Sequence, residues 1–190
     1  MRRSLPLLAF LLSPAAAMAH TGLGAHGAPF ASGFLHPFLG ADHMLTMVAV
    51  GILAAMTGGR AAWAYPASFV GAMLLGGLLG FDGAALPVAE PAILASVVVL
   101  GAAVAFASRP PLPLACGVIG LFGVAHGYAH GLEGPALGGP AYAAGFVIAT
   151  AALHGLGLGL GFAAGALGRP SLARTLGGLT AAAGLVLALG

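Results

Sequence analysis

His36-Pro37-Phe38-Leu39-Gly40-Ala41-Asp42-His43-Met44-Leu45-Thr46-Met47, running on through Val48-Ala49-Val50-Gly51, decides how this chain is to be read. It sets two imidazoles and a carboxylate into a segment otherwise apolar enough to cross a membrane. Ionisable groups at that depth are costly unless paired or ligated, so such a segment reads by default as a functional site. Pro37 suits a first helical position, which leaves His36 just outside the helix. On a helix continuing from there, positions 36 and 43 lie roughly 20° from eclipsing and about 10 Å apart by helical rise. His43 and Met47 share that face at i, i+4, and Gly40 lies on it between the histidines with no side chain to fill the space. Asp42 points about 100° away, so it either completes a ligand set from the side or orients a ring from behind. The face is suited to a cation.

The surrounding chain supplies the membrane. Of 190 residues, 60% are hydrophobic and 5% charged, and the mean hydropathy is +1.07. A soluble domain carries roughly 25% charged residues, so this composition is that of a membrane protein, at this length a single domain. Six apolar stretches come close to the ~20 residues a bilayer needs, at 37–57, 61–81, 88–107, 112–130, 141–166 and 172–189. Turn residues separate them: Gly58-Gly59, Asp82-Gly83, Arg109-Pro110-Pro111, Gly138-Gly139-Pro140 and Arg169-Pro170. The expected fold is an all-α membrane protein, a compact bundle of six transmembrane helices. Gly76/Gly80, Gly123/Gly127/Gly131 and Gly157/Gly161/Gly165 recur at helical spacing, as small residues do where helices approach closely in lipid.

Met1-Arg2-Arg3, a short apolar run and Ala17-Met18-Ala19 read as a secretory signal peptide over 1–19. Cleavage after Ala19 would expose His20, whose α-amine and ring could chelate one metal, with His26 close behind. The expected organisation is then a periplasmic, His-containing segment at 20–35 and a transmembrane domain at 36–190. Arg60, Arg109, Arg169 and Arg174 fall in or beside the first, third and fifth connectors, which the positive-inside rule makes cytoplasmic. Asp82, Glu90 and Glu133 fall in or beside the others. Both mature termini are thereby expected in the periplasm. Beyond the leader four Arg balance four acids, so the pI of 9.2 implies no nucleic-acid partner. Cys116 is alone and reads as apolar filler.

Two further histidine clusters follow. His126 and His130 stand one turn apart in the fourth stretch, the spacing at which two imidazoles can share a metal, and Glu133 continues that face. His154 lies ~20 Å along the fifth helix, near mid-bilayer, as a pathway station or pore-lining ligand, or as a ring bonded to a helix carbonyl or to Thr150. On this topology His20, His26, His36, Asp42, His43, His126, His130 and Glu133 sit outside or in the outer half, and the inner side holds only arginine. Imidazole with some carboxylate suits Ni²⁺, Co²⁺, Zn²⁺ or Cu²⁺ over Mg²⁺ or Ca²⁺. One site from His43, Asp42 and the His126–His130 pair, with His36 as an outer station, is as consistent as several separate stations.

The pattern His-Pro-x-x-Gly-x-Asp-His-x-Leu-x-Met-x-x-Val-Gly stands complete from His36 to Gly51. It resembles the HupE/UreJ family of small bacterial inner-membrane proteins associated with hydrogenase and urease. The His126–Glu133 and Thr150–Gly155 stretches extend the resemblance over nearly the whole mature chain. It implies a nickel or cobalt permease whose metal ligands include His36, Asp42, His43, His126 and His130. Met47, Glu133 and His154, with His20 and His26, would be further ligands or stations. The Ni(II) or Co(II) would be cargo, with no organic cofactor, no catalytic residue, and membrane lipid as the surroundings. No G-x-x-x-x-G-K-[ST] loop is present, so ATP is not the expected driver. A divalent ion moving inward across ~100 mV gains roughly 4.6 kcal/mol, enough for more than a thousandfold accumulation. The competing expectations are an intramembrane zinc enzyme using His36, His43 and His126, a bis-histidine haem protein, and a metal sensor or accessory protein that binds without transport.

Overall fold

The computed structural model describes residues 28–190 except residue 138, and of residues 133–137 the backbone alone. The expected leader with its cleavage point, and His20 and His26, lie outside the described residues. Among the described residues the chain is all helix: α1 (Pro29–Leu39), α2 (Ala41–Thr57), α3 (Ala61–Phe81), α4 (Ala89–Ala105), α5 (Leu112–Leu137), α6 (Gly139–Ala166) and α7 (Pro170–Leu189). Four of these, α3, α5, α6 and α7, are long and apolar enough to cross a membrane by themselves. The 17 residues of α4 are apolar but shorter. At 1.5 Å per residue they reach about 25 Å, the low end for a spanning helix. Leu75, Leu78, Leu121 and Leu179 stand well exposed on the outer surface, as side chains facing lipid do.

The first apolar stretch departs from expectation. It is two helices, α1 and α2, bent by 81°. Pro29 takes the opening position of α1, so the helix starts earlier than Pro37 and Pro37 lies inside it, buried. His36 is therefore in the last turn of α1, not outside a helix. Gly40, in extended conformation at φ −95° and ψ 116°, ends α1 and caps α2. The seven-residue helical face joining His36 to His43 does not exist. Their proximity comes from the bend.

Glycine governs the packing. On α3, a side chain at Gly76 or Gly80 would overlap the carbonyl of Val124 or Tyr128 on α5. In return, Gly123, Gly127 and Gly131 of α5 lie against the carbonyls of Phe69, Met73 and Gly77. The two helices thus interdigitate backbone to backbone along most of their length, which in lipid substitutes dispersion for the missing hydrophobic drive. Gly51 and Gly157 seat α2 on α6 in the same manner, whereas Gly165 faces open space and seats nothing. One buried polar link crosses from α2 to α4: Thr46 Oγ1 and Ser96 Oγ lie 2.8 Å apart, and Ser96 also donates to the Ile93 carbonyl.

Candidate metal centre

The bend at Gly40 delivers one end of α1 and the first turn of α2 to the same place. There His36 and His43 come to a ring-centroid distance of 6.4 Å, shorter than a straight helix would give. From α5, His130 inserts between them, 4.6 Å from His36 and 4.6 Å from His43. One turn earlier, His126 lies 4.8 Å from His43. Four of the five residues expected to ligate metal therefore share one cluster, built from three helices.

Asp42, the fifth, stands behind it. Its Oδ1 accepts from the His43 backbone N–H at 2.8 Å and lies 2.7 Å from His43 Nδ1. The short side chain thus uses one orphan donor of the α2 first turn and fixes the ring with the same oxygen. With Nδ1–H given to the carboxylate, Nε2 of His43 keeps its lone pair, and that atom is buried with no hydrogen-bond partner. His126 is arranged alike. Its Nδ1 donates to the Phe122 carbonyl at 2.9 Å, and its Nε2 is buried without a partner. Two buried lone pairs thus belong to rings whose centroids lie 4.8 Å apart. A metal-binding histidine needs this division of labour: one nitrogen orients the ring and the other faces the ion.

The spacing fits shared coordination. Two imidazoles bound at 2.0–2.1 Å to one ion place their ring centres about 5 Å apart. The rings as they stand are edge to face, and among the described residues no three His, Cys, Asp or Glu side chains form a closed metal site. The cluster is a set of four neighbouring imidazoles at sharing distance that do not yet close around an ion.

Aromatic side chains wall the cluster. Phe146 of α6 packs at 3.9 Å from His130, and Tyr142 stands 5.9 Å from His36. Phe69 of α3 touches His126 at 5.2 Å on one side and His154 at 5.2 Å on the other. Accessibility falls along this line: His43 and Asp42 keep 12% and 27% of their side-chain surface, whereas His126 is fully buried and His154 nearly so. Neither ring nitrogen of His154 has a hydrogen-bond partner, so the expected alternative of a ring bonded to its own helix or to Thr150 is not realised. Thr150 points its hydroxyl at Met73 sulfur. Met47 is fully buried in the apolar core. The Glu133 side chain lies outside the described residues.

Sequence reading did not single out Phe69, Phe146 or Tyr142. In a chain this apolar an aromatic residue carries no mark of its surroundings; only the helix pairing brings these rings to the histidines.

Residues 8–187 match the family described as HupE / UreJ protein. The chain is 45% identical to Protein HupE of Rhizobium leguminosarum bv. viciae over 184 residues, covering 96% of this chain and 95% of the relative. No solved structure matches it. The matched region runs from before α1 into the last turn of α7 and takes in the whole histidine cluster, and the chain is a multi-pass membrane protein belonging to the HupE/UreJ family.

Proposed function

We propose that the chain is an inner-membrane secondary permease that admits a divalent transition metal, Ni(II) with Co(II) as the close second, from the periplasm. The observation that carries this reading is the pair of buried, unpartnered Nε2 atoms on His43 and His126, each with its Nδ1 held from behind. In this role His43 and His126 bind the ion, His36 and His130 complete or hand over its shell, and Asp42 fixes His43 and lends negative charge. His154, beyond Phe69, is the next station inward. Met47, Glu133, His20 and His26 are secondary candidates.

An unclosed cluster supports carriage over storage. A transported ion must bind well enough to enter and loosely enough to leave, and a rigid tetrahedral cage fails the second requirement. Counting the bent α1–α2 pair as one span and α4 as another gives six, with the arginines on the cytoplasmic side and both mature termini in the periplasm. The membrane potential then drives the ion inward without ATP. A sensor, an accessory binder or an intramembrane metalloenzyme would hold metal in the same cluster but pass none.

Purified protein in sealed liposomes, with a metal-sensitive dye inside, separates these readings. Ni²⁺, Co²⁺ and Zn²⁺ are offered one at a time under an inside-negative potential. The expected result is saturable entry, fastest for Ni²⁺ and increasing with the potential. Metal bound to the protein with no entry of any ion refutes the permease.

A further inference from the structure

The end of the bundle away from the histidines carries a second feature. There α2, α6, α7 and the connector between α4 and α5 enclose a half-open cleft of about 420 Å³. Met56, Phe162 and Pro170 give it apolar walls, and Arg109 and Arg174 are its charged lining residues. No carboxylate lines it, and among the described residues no ion pair involves an arginine. Arg174 is anchored, its Nε donating to the Ala105 carbonyl at 2.9 Å where α4 ends. That bond positions the guanidinium and leaves its terminal nitrogens to a ligand, in a fork suited to phosphate oxygens.

A ligand that fits must be anionic at one end and apolar along the rest. It must also be reachable from the bilayer, since Phe162 is 52% exposed on the outer surface of a spanning helix. Basic pockets between spanning helices at headgroup depth meet these terms with phospholipid. We infer that this cleft seats an anionic phospholipid, its phosphate on Arg109 and Arg174 and an acyl chain along Met56 and Phe162. A small soluble anion would leave the apolar walls unused. The inference does not depend on what the histidines carry.

Native mass spectrometry of the full chain in mild detergent tests it, with phosphatidylglycerol, phosphatidylcholine and inorganic phosphate as probes. Phosphatidylglycerol should be retained about 25-fold more strongly than phosphatidylcholine, roughly fivefold for each basic residue. Arg109→Gln/Arg174→Gln should bring the two lipids near parity, and Arg60→Gln, outside the cleft, should leave the preference intact. Should the double variant fail to fold, Arg109→Gln alone keeps the Arg174–Ala105 bond and should cost about fivefold. The proposal is overturned by equal retention of the two lipids, by a preference that survives loss of both arginines, or by an unchanged preference in Arg109→Gln. It is equally overturned if millimolar phosphate displaces the lipid, which would make this a site for a soluble anion.

Discussion

Asp42 and His43 are adjacent in sequence, and their side chains meet because the helix begins between Gly40 and Ala41. Asp42→Asn keeps the shape of that contact and removes its charge. Outer partners of this kind change metal affinity by about 10- to 100-fold, so the variant should bind Ni²⁺ more weakly by that range in a competition titration while folding normally. A wild-type affinity in Asp42→Asn would remove the carboxylate from the account. Gly40→Ala probes the same pair from the other side. A Cβ there would lie 2.9 Å from Asp42 Oδ1 and 3.0 Å from His43 Nδ1, close enough to push the pair apart. Weaker metal binding with a little-changed melting temperature is expected. At this scale the sequence is informative: all five proposed ligands stand out as ionisable residues in apolar surroundings, and the four imidazoles among them lie together. Sequence alone leaves Asp42 between ligand and orienting partner, since the position of the His43 ring relative to its carboxylate is set by the bend at Gly40.

The helices answer to different residues. Gly127 of α5 lies against the Met73 carbonyl of α3, backbone on backbone, where nothing flexible can yield. Gly127→Ala should therefore destabilise the α3–α5 pair by about 1–3 kcal/mol or more, read as a lower melting temperature in detergent. Gly165→Ala, which meets open space, should leave it unchanged. Equal melting temperatures would mean that these glycines do not set the packing. Thr46→Val removes the α2–α4 hydrogen bond while Ser96 keeps the Ile93 carbonyl, so a loss of about 1 kcal/mol is expected in the same measurement. Glycine spacing revealed the tight helix pairs but not which helices pair, because periodicity within one helix says nothing of its neighbour. The break at Gly40 is not legible in the sequence for a definite reason. Pro37 suits a helix start, and only Pro29 occupying that position shows Pro37 to be interior.

Across the whole molecule, polarity runs in one direction. Histidines and the Asp42 carboxylate gather where α1 meets α2, and arginine stands at the other end of α2, beyond Thr57. Hydropathy and charge made the membrane class and this asymmetry legible, since both are sums over many residues. They did not reveal the 81° bend between α1 and α2, because a window average passes over a single bend. Under the proposed mechanism a divalent ion gains roughly 4.6 kcal/mol per 100 mV, so collapsing the potential across the membrane should abolish accumulation above equilibrium. Accumulation that persists without a potential would require another driver.

On the proposed path the His43 and His126 rings carry the ion. This role is tested most directly by metal accumulation in a bacterial host lacking its own nickel uptake, comparing the unaltered chain with His43→Ala and His126→Ala at matched membrane levels. Accumulation of Ni²⁺ by the unaltered chain and background values for both variants is the predicted result. Wild-type accumulation in either variant would contradict the account and move the path of the ion away from this cluster.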